Sequence, residues 1–147
     1  MNREGSIEID APATKVWKVF SDIARWPEWT ESVERVVPQD GPDVRVGAHF
    51  AIKQPRLPEM VWEVIEVDAG RAWKWRTKSF GVTTVGWHEV APLGDARAVA
   101  RQGIDQHGPL AFVVGLFTAR LTDRYLTMEA RGLKSRSEQT AGDTSGA

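Results

Sequence analysis

Any chemistry in this chain has to come from a small set of polar residues. His88, Gln102, Glu66 and the hydroxyls of Thr77 and Thr84 fall where strand alternation can bring them to one cavity. A buried imidazole is the side chain most readily tuned for proton transfer near neutral pH, so His88 is the one candidate acid/base residue. A hydrogen-bonded core histidine and a ligand contact are the alternatives, since spacing assigns it no orienting carboxylate. His49, His88 and His107 are isolated from one another and the chain has no cysteine, so neither a metal centre nor thiolate or disulfide chemistry is expected. Gly-x-Ser-x-Gly, Gly-x-Gly-x-x-Gly and Gly-Lys-Ser/Thr runs are missing as well. The usual marks of serine hydrolases, dinucleotide enzymes and nucleoside triphosphatases are therefore absent, and no cofactor is expected.

The elements that must position these residues belong to one domain. At 147 residues, 41% apolar and 27% charged, the chain suits a single hydrophobic core. A formal net charge of −1 provides no field to gather polyanions, so nucleic acid is a poor partner. The sequence shows neither the apolar core of a signal peptide nor a spanning segment, and a cytoplasmic protein with no membrane insertion is expected.

Ser6 to Asp10 alternates as a half-buried strand, and Pro12 then opens a helix carrying Val16, Trp17, Val19 and Phe20 at helical spacing. Two short helices follow, broken near Ser21 and Pro27. From Val33 onward, period-two patterning between turn signals predicts six strands near 33–37, 44–53, 60–68, 71–79, 82–90 and 95–106, joined as a meander. One long helix is predicted from Pro109 to about Ser135. The order is an α+β domain over residues 1–138, and residues 139–147, without apolar periodicity, are expected to be a disordered tail.

This order resembles the START-like helix-grip (SRPBCC) superfamily, in which a curved antiparallel sheet of seven strands wraps the last helix, and in particular its polyketide cyclase/dehydrase-type branch. The resemblance rests on Ile9-Asp10-Ala11-Pro12 with Val16-Trp17, on Asp22 with Trp26-Pro27 and Trp29, on Val46-Gly47 before Phe50, and on Leu133-Lys134 with Glu138. It implies a cavity between sheet and helix. Members bind or transform small, mostly apolar molecules such as polyketides, lipids and hormones, or help other proteins fold. The resemblance also places His88 on the core face.

Alternation puts Ala96, Ala98, Ala100 and Gln102 on one side of the last strand, taken as inward, and makes Trp73 and Trp75 inward while Trp87 faces out as an exposed indole. On the long helix, Phe112, Ala119, Leu126, Ala130 and Leu133 form one apolar row and Leu110, Val114, Phe117, Leu121 and Met128 another. The resemblance of Leu133-Lys134 to the family's helix end implies that the first grips the sheet. The second is left to cover the cavity mouth, meet the short helices or join a second subunit as a homodimer. The expected ligand contacts are Trp62, Trp75, His88, Ala98, Ala100, Gln102, Phe112 and Ala119. Three functions stay open: binding of a small apolar molecule, a cyclase-, dehydratase- or isomerase-type enzyme in the same cavity, and a chaperone-like partner-binding protein.

Overall fold

Pro12 extends the chain out of the first strand, and its carbonyl accepts from the amides of Lys15 and Val16, which starts the first helix. In the computed structural model, which describes residues 2–79 and 81–143, the chain runs β1 (Asn2–Ile9), α1 (Ala13–Ser21), a 3₁₀ helix (Ile23–Glu28), β2 (Arg35–Pro38), β3 (His49–Lys53), β4 (Met60–Asp68), β5 (Ala72–Ser79), β6 (Val82–Pro92), β7 (Ala98–His107) and α2 (Ala111–Asp143). The seven strands form one antiparallel sheet in the order β1-β7-β6-β5-β4-β3-β2. This is the helix-grip fold, with α2 packed chiefly on β1 and β7 and against α1.

Val16 and Phe20, one turn apart, turn the same face of α1 into the core. The Trp26 indole N–H donates to the Phe20 carbonyl at 2.9 Å and its ring stacks on Phe20 at 5.9 Å, so the short helices fold back on each other. Trp26, Trp73, Phe20 and Phe50 are the largest side chains fully shielded from water. Trp29 is half-buried and lies against α2 at Gly132, where a Cβ would sit 2.0 Å from the Trp29 carbonyl oxygen.

Four boundaries differ from the sequence reading by three residues or more. β1 begins at Asn2 rather than Ser6, because as an edge strand it pairs with β7 from Asn2↔Asp105 to Ile9↔Ala98 whether or not its residues alternate. The strand expected over 44–53 begins at His49, after Gly47 takes a positive φ of 91° and its amide bonds the Val64 carbonyl. The last strand begins at Ala98, because residues 93–97 are spent closing the hairpin through the Leu93 amide and the Arg97 carbonyl. α2 continues to Asp143, since Glu138-Gln139-Thr140-Ala141 contains no helix breaker. The expected tail over 139–147 thus starts within the helix, and its last residues, 144–147, lie outside the described residues.

Neither apolar row of α2 alone meets the sheet. Its inward face is Val114, Thr118, Leu121, Thr122, Tyr125, Leu126, Glu129 and Leu133, at three- and four-residue spacing midway between the two expected rows. Phe112, expected inward, is 76% exposed, because it lies well round the helix from that face. Trp87 does face outward, yet it is half-buried: it lies across Gly103 of the neighbouring strand, where a Cβ would meet the indole at 2.4 Å.

Candidate functional site

Between the inner face of the sheet, the loop 54–58 and α2 lies a cavity of about 270 Å³. Its wall is mainly apolar, with Trp26 from the 3₁₀ helix, Trp62 from β4 and Trp75 from β5 supplying aromatic faces. Trp75 can lie flat along the sheet because its neighbour on β6 is Gly86, where a Cβ would stand 2.6 Å from the indole nitrogen. His88 on β6, Gln102 on β7, and Tyr125 and Glu129 on α2 interrupt this surface, together with Gln54, Ser79, Thr84, Gln106, Thr118 and Thr122.

His88 is paired across the sheet with Trp73 on one side and Gln102 on the other. Its ring stacks on Trp73 at 4.0 Å and meets the edges or faces of Phe20, Trp26 and Trp75 at 5.3–5.8 Å. Nδ1 lies 3.4 Å from the Trp73 carbonyl, which fixes the neutral tautomer with Nε2 as an acceptor. Burial holds its pKa down to about 3, well below the ordinary 6.5, so the ring is neutral at any physiological pH. As a proton donor it is spent; as an acceptor it is open.

Gln102 donates through Nε2 to the Leu126 carbonyl at 3.2 Å, and its Oε1 is buried with no partner among the described residues. Such an orphan costs roughly 1–3 kcal/mol unless something pairs with it. Glu129, 8% exposed, accepts from the Ser32 hydroxyl at 3.0 Å, and Ser32 in turn contacts the Thr30 hydroxyl at 2.9 Å. Burial pushes the Glu129 carboxyl up to about 7, with the Ser32 bond pulling weakly the other way. The Tyr125 hydroxyl donates to the Pro55 carbonyl and ties the loop 54–58 to α2.

Of the residues expected to contact a ligand, the structure brings together Trp62, Trp75, His88 and Gln102. Ala98 and Ala100 face inward in the apolar core, opposite Ile9 and Ile7 of β1, and are not in the cavity wall. Phe112 is exposed, and Ala119, half-buried, is not in the cavity wall, because the helix presents its middle face. Thr84 lines the cavity and Thr77 is buried outside its wall. Glu66 is exposed and paired with Lys74 at 3.2 Å, because a bulge between Val64 and Glu66 reverses the alternation of β4.

Glu129 and Tyr125 escaped the sequence reading. Their signal is a polar row, Thr118, Thr122, Tyr125 and Glu129, running between two apolar rows at helical spacing. Among the described residues no group of three His, Cys, Asp or Glu side chains is placed to hold a metal.

Known proteins share this architecture. The structure resembles an aromatase/cyclase, Zhui, from a Streptomyces species (TM-score 0.79, 15% identity, 96% of this chain and 95% of that one). It is similar also to norcoclaurine synthase from Thalictrum flavum (TM-score 0.77, 18% identity, 96% of both chains) and to a START superfamily protein from Mycobacterium smegmatis (TM-score 0.75, 16% identity, 95% and 98%). At these identities the likeness establishes the fold. No curated protein shows significant sequence similarity to the chain. The sequence matches the polyketide cyclase / dehydrase and lipid transport family over residues 3–138. With that match spanning nearly the whole helix-grip domain, the chain belongs to the polyketide cyclase / dehydrase and lipid transport family.

Proposed function

We propose that this protein binds a small, mostly apolar molecule in the cavity between sheet and α2. The observation that carries the reading is the space itself, left open between sheet and α2 and walled mainly by apolar side chains. The volume, about 270 Å³, is nearly twice that of an apolar cavity known to hold benzene, about 150 Å³, and so suits a body of one or two rings. Trp62 and Trp75 supply the faces for it. The experiment is thermal unfolding with a panel of polyketide-like, fatty and aromatic compounds, where a ligand at about a hundred times its Kd adds roughly 2.7 kcal/mol. A panel without any shift would leave the binding reading unsupported and favour a scaffold.

The second reading, an enzyme of cyclase, dehydratase or isomerase type, is favoured by one observation. Glu129 has its carboxyl pushed up to about 7 inside the cavity, which is where a general acid or base works best. The solved neighbours include an aromatase/cyclase and a synthase. Turnover of a bound compound, lost in Glu129→Gln while binding persists, distinguishes it from a carrier. No helix among the described residues is long and apolar enough to cross a membrane. A cytoplasmic homodimer completes the proposal, supported by the apolar side chains exposed on the outer face of α2.

A further inference from the structure

Glu129 stands in the cavity wall without a counter-ion. Its Oε2 is taken by the Ser32 hydroxyl at 3.0 Å, and Oε1 has no partner among the described residues. The titratable groups that face the same space are His88 from β6, which is neutral, and Tyr125 from α2, whose phenol burial pushes above its ordinary value. The loop after the 3₁₀ helix contributes only the hydroxyls of Thr30 and Ser32. Arg56, Arg124 and Glu34 act on Tyr125 near the mouth, while Glu129 responds to burial and to Ser32 alone. Among the described residues, no lysine or arginine lines the cavity.

The charge in the wall is therefore one-sided. Glu129 Oε1 and His88 Nε2 are both acceptors, and the first can carry a negative charge. A carboxylate in an apolar space is costly until a cation joins it. Around it stand the indoles of Trp26, Trp62 and Trp75, whose faces attract cations as well as hydrocarbon. An anionic guest, such as a free fatty acid, would meet like charge with no basic residue to receive it.

We propose that the ligand of this cavity is an apolar amine, its protonated nitrogen paired with the Glu129 carboxylate and its hydrocarbon or ring body laid against the tryptophans. The inference rests on the binding reading above and adds to it the charge of the ligand. Pairing requires an ionised carboxyl, and an aliphatic amine stays protonated well above neutrality. Amine affinity therefore rises as the solution passes from pH 5.5 to pH 8, whereas a neutral guest of the same shape shows no such rise.

The test is isothermal titration of the full chain with 1-naphthylmethylamine, 1-naphthalenemethanol and 1-naphthoate. At pH 8 the amine should bind at least about tenfold tighter than the alcohol, and the naphthoate weakest of the three. At pH 5.5, or in Glu129→Gln at pH 8, the preference for amine over alcohol should fall below about threefold. The pH series on the unaltered protein gives the same answer should the variant fold poorly. An alcohol that binds as well as the amine at pH 8, or a preference that survives Glu129→Gln, overturns the amine proposal and leaves the binding reading intact. Failure of both amine and alcohol to bind overturns both.

Discussion

The Ser32 hydroxyl donates to Glu129 Oε2 across 3.0 Å, joining the loop that follows the 3₁₀ helix to the inward face of α2, ninety-seven residues later in the chain. One bond thus closes the core at the edge of the cavity and holds one oxygen of a carboxyl whose other oxygen has no partner among the described residues. It also keeps the carboxyl buried, and burial is the source of its raised pKa.

Stability should depend on pH in a way that names both buried groups. Glu129 titrates near 7 in the folded protein against an ordinary 4.5, so its contribution is full below pH 4.5 and is lost as pH rises through 7. At 1.36 kcal/mol per unit the loss approaches about 3 kcal/mol. His88 runs the other way, folded near 3 against 6.5, so its contribution is present above pH 6.5 and is lost as pH falls toward 3. The two slopes oppose each other between the ordinary values of the two groups. Urea unfolding of the native protein and Glu129→Gln at pH 4.5, 6.5 and 8 separates them: the native protein should lose ground to the variant by up to about 3 kcal/mol over that range. Parallel profiles would mean that Glu129 is not buried as described.

Gly132→Ala should destabilise the protein by about 1–3 kcal/mol or more, because the added methyl meets a backbone oxygen rather than a side chain that can swing away. The contact is with the Trp29 carbonyl at 2.0 Å. Gly5→Ala, where a Cβ meets nothing within 4 Å, is the control and should change the melting temperature far less. Equal effects would argue that α2 does not press on Trp29.

Tyr125→Phe should loosen the loop 54–58 while leaving the core in place, since only the hydroxyl that reaches Pro55 is removed. A loss of about 1 kcal/mol and faster amide exchange confined to that loop are expected. Unchanged exchange there would show that the tether is not formed in solution.

The outer face of α2 carries Leu116 at 67% and Phe117 at 84% exposure beside Phe112 at 76%, so a homodimer through this face is expected. Light scattering at micromolar concentration checks it, with Phe117→Glu predicted to be a folded monomer. A native protein that is monomeric throughout contradicts it.

Much of the architecture was legible because its signals are local. Pro12 before Val16 and Phe20, the Trp26-Pro27-Glu28-Trp29 bracket and turn residues about every ten positions are each read within a few residues. The cavity lining was legible in part for the same reason: Trp62, Trp75, His88 and Gln102, which line it, sit on strands whose alternation is unbroken up to them. Glu66 was misplaced because a bulge adds one residue without any mark in composition. Phe112 and Ala119 were misplaced because apolar residues were taken to define the inward face of α2. A helix over a cavity has less packing to make, and here the middle of its inward face is Thr118, Thr122, Tyr125 and Glu129. Glu129 lay in plain view in the sequence, but its burial depends on Ser32 and the sheet, which no local pattern reveals.

The central claim is that the space beneath α2 is a binding site, and filling it is the most direct test. Thr118 lines the cavity from α2, so Thr118→Trp should occupy it with protein. Isothermal titration with 2-naphthol, a neutral two-ring compound, should show saturable binding at one site in the native protein and none in a folded Thr118→Trp variant. No saturable heat with the native protein, or the same affinity in the variant, would contradict the account.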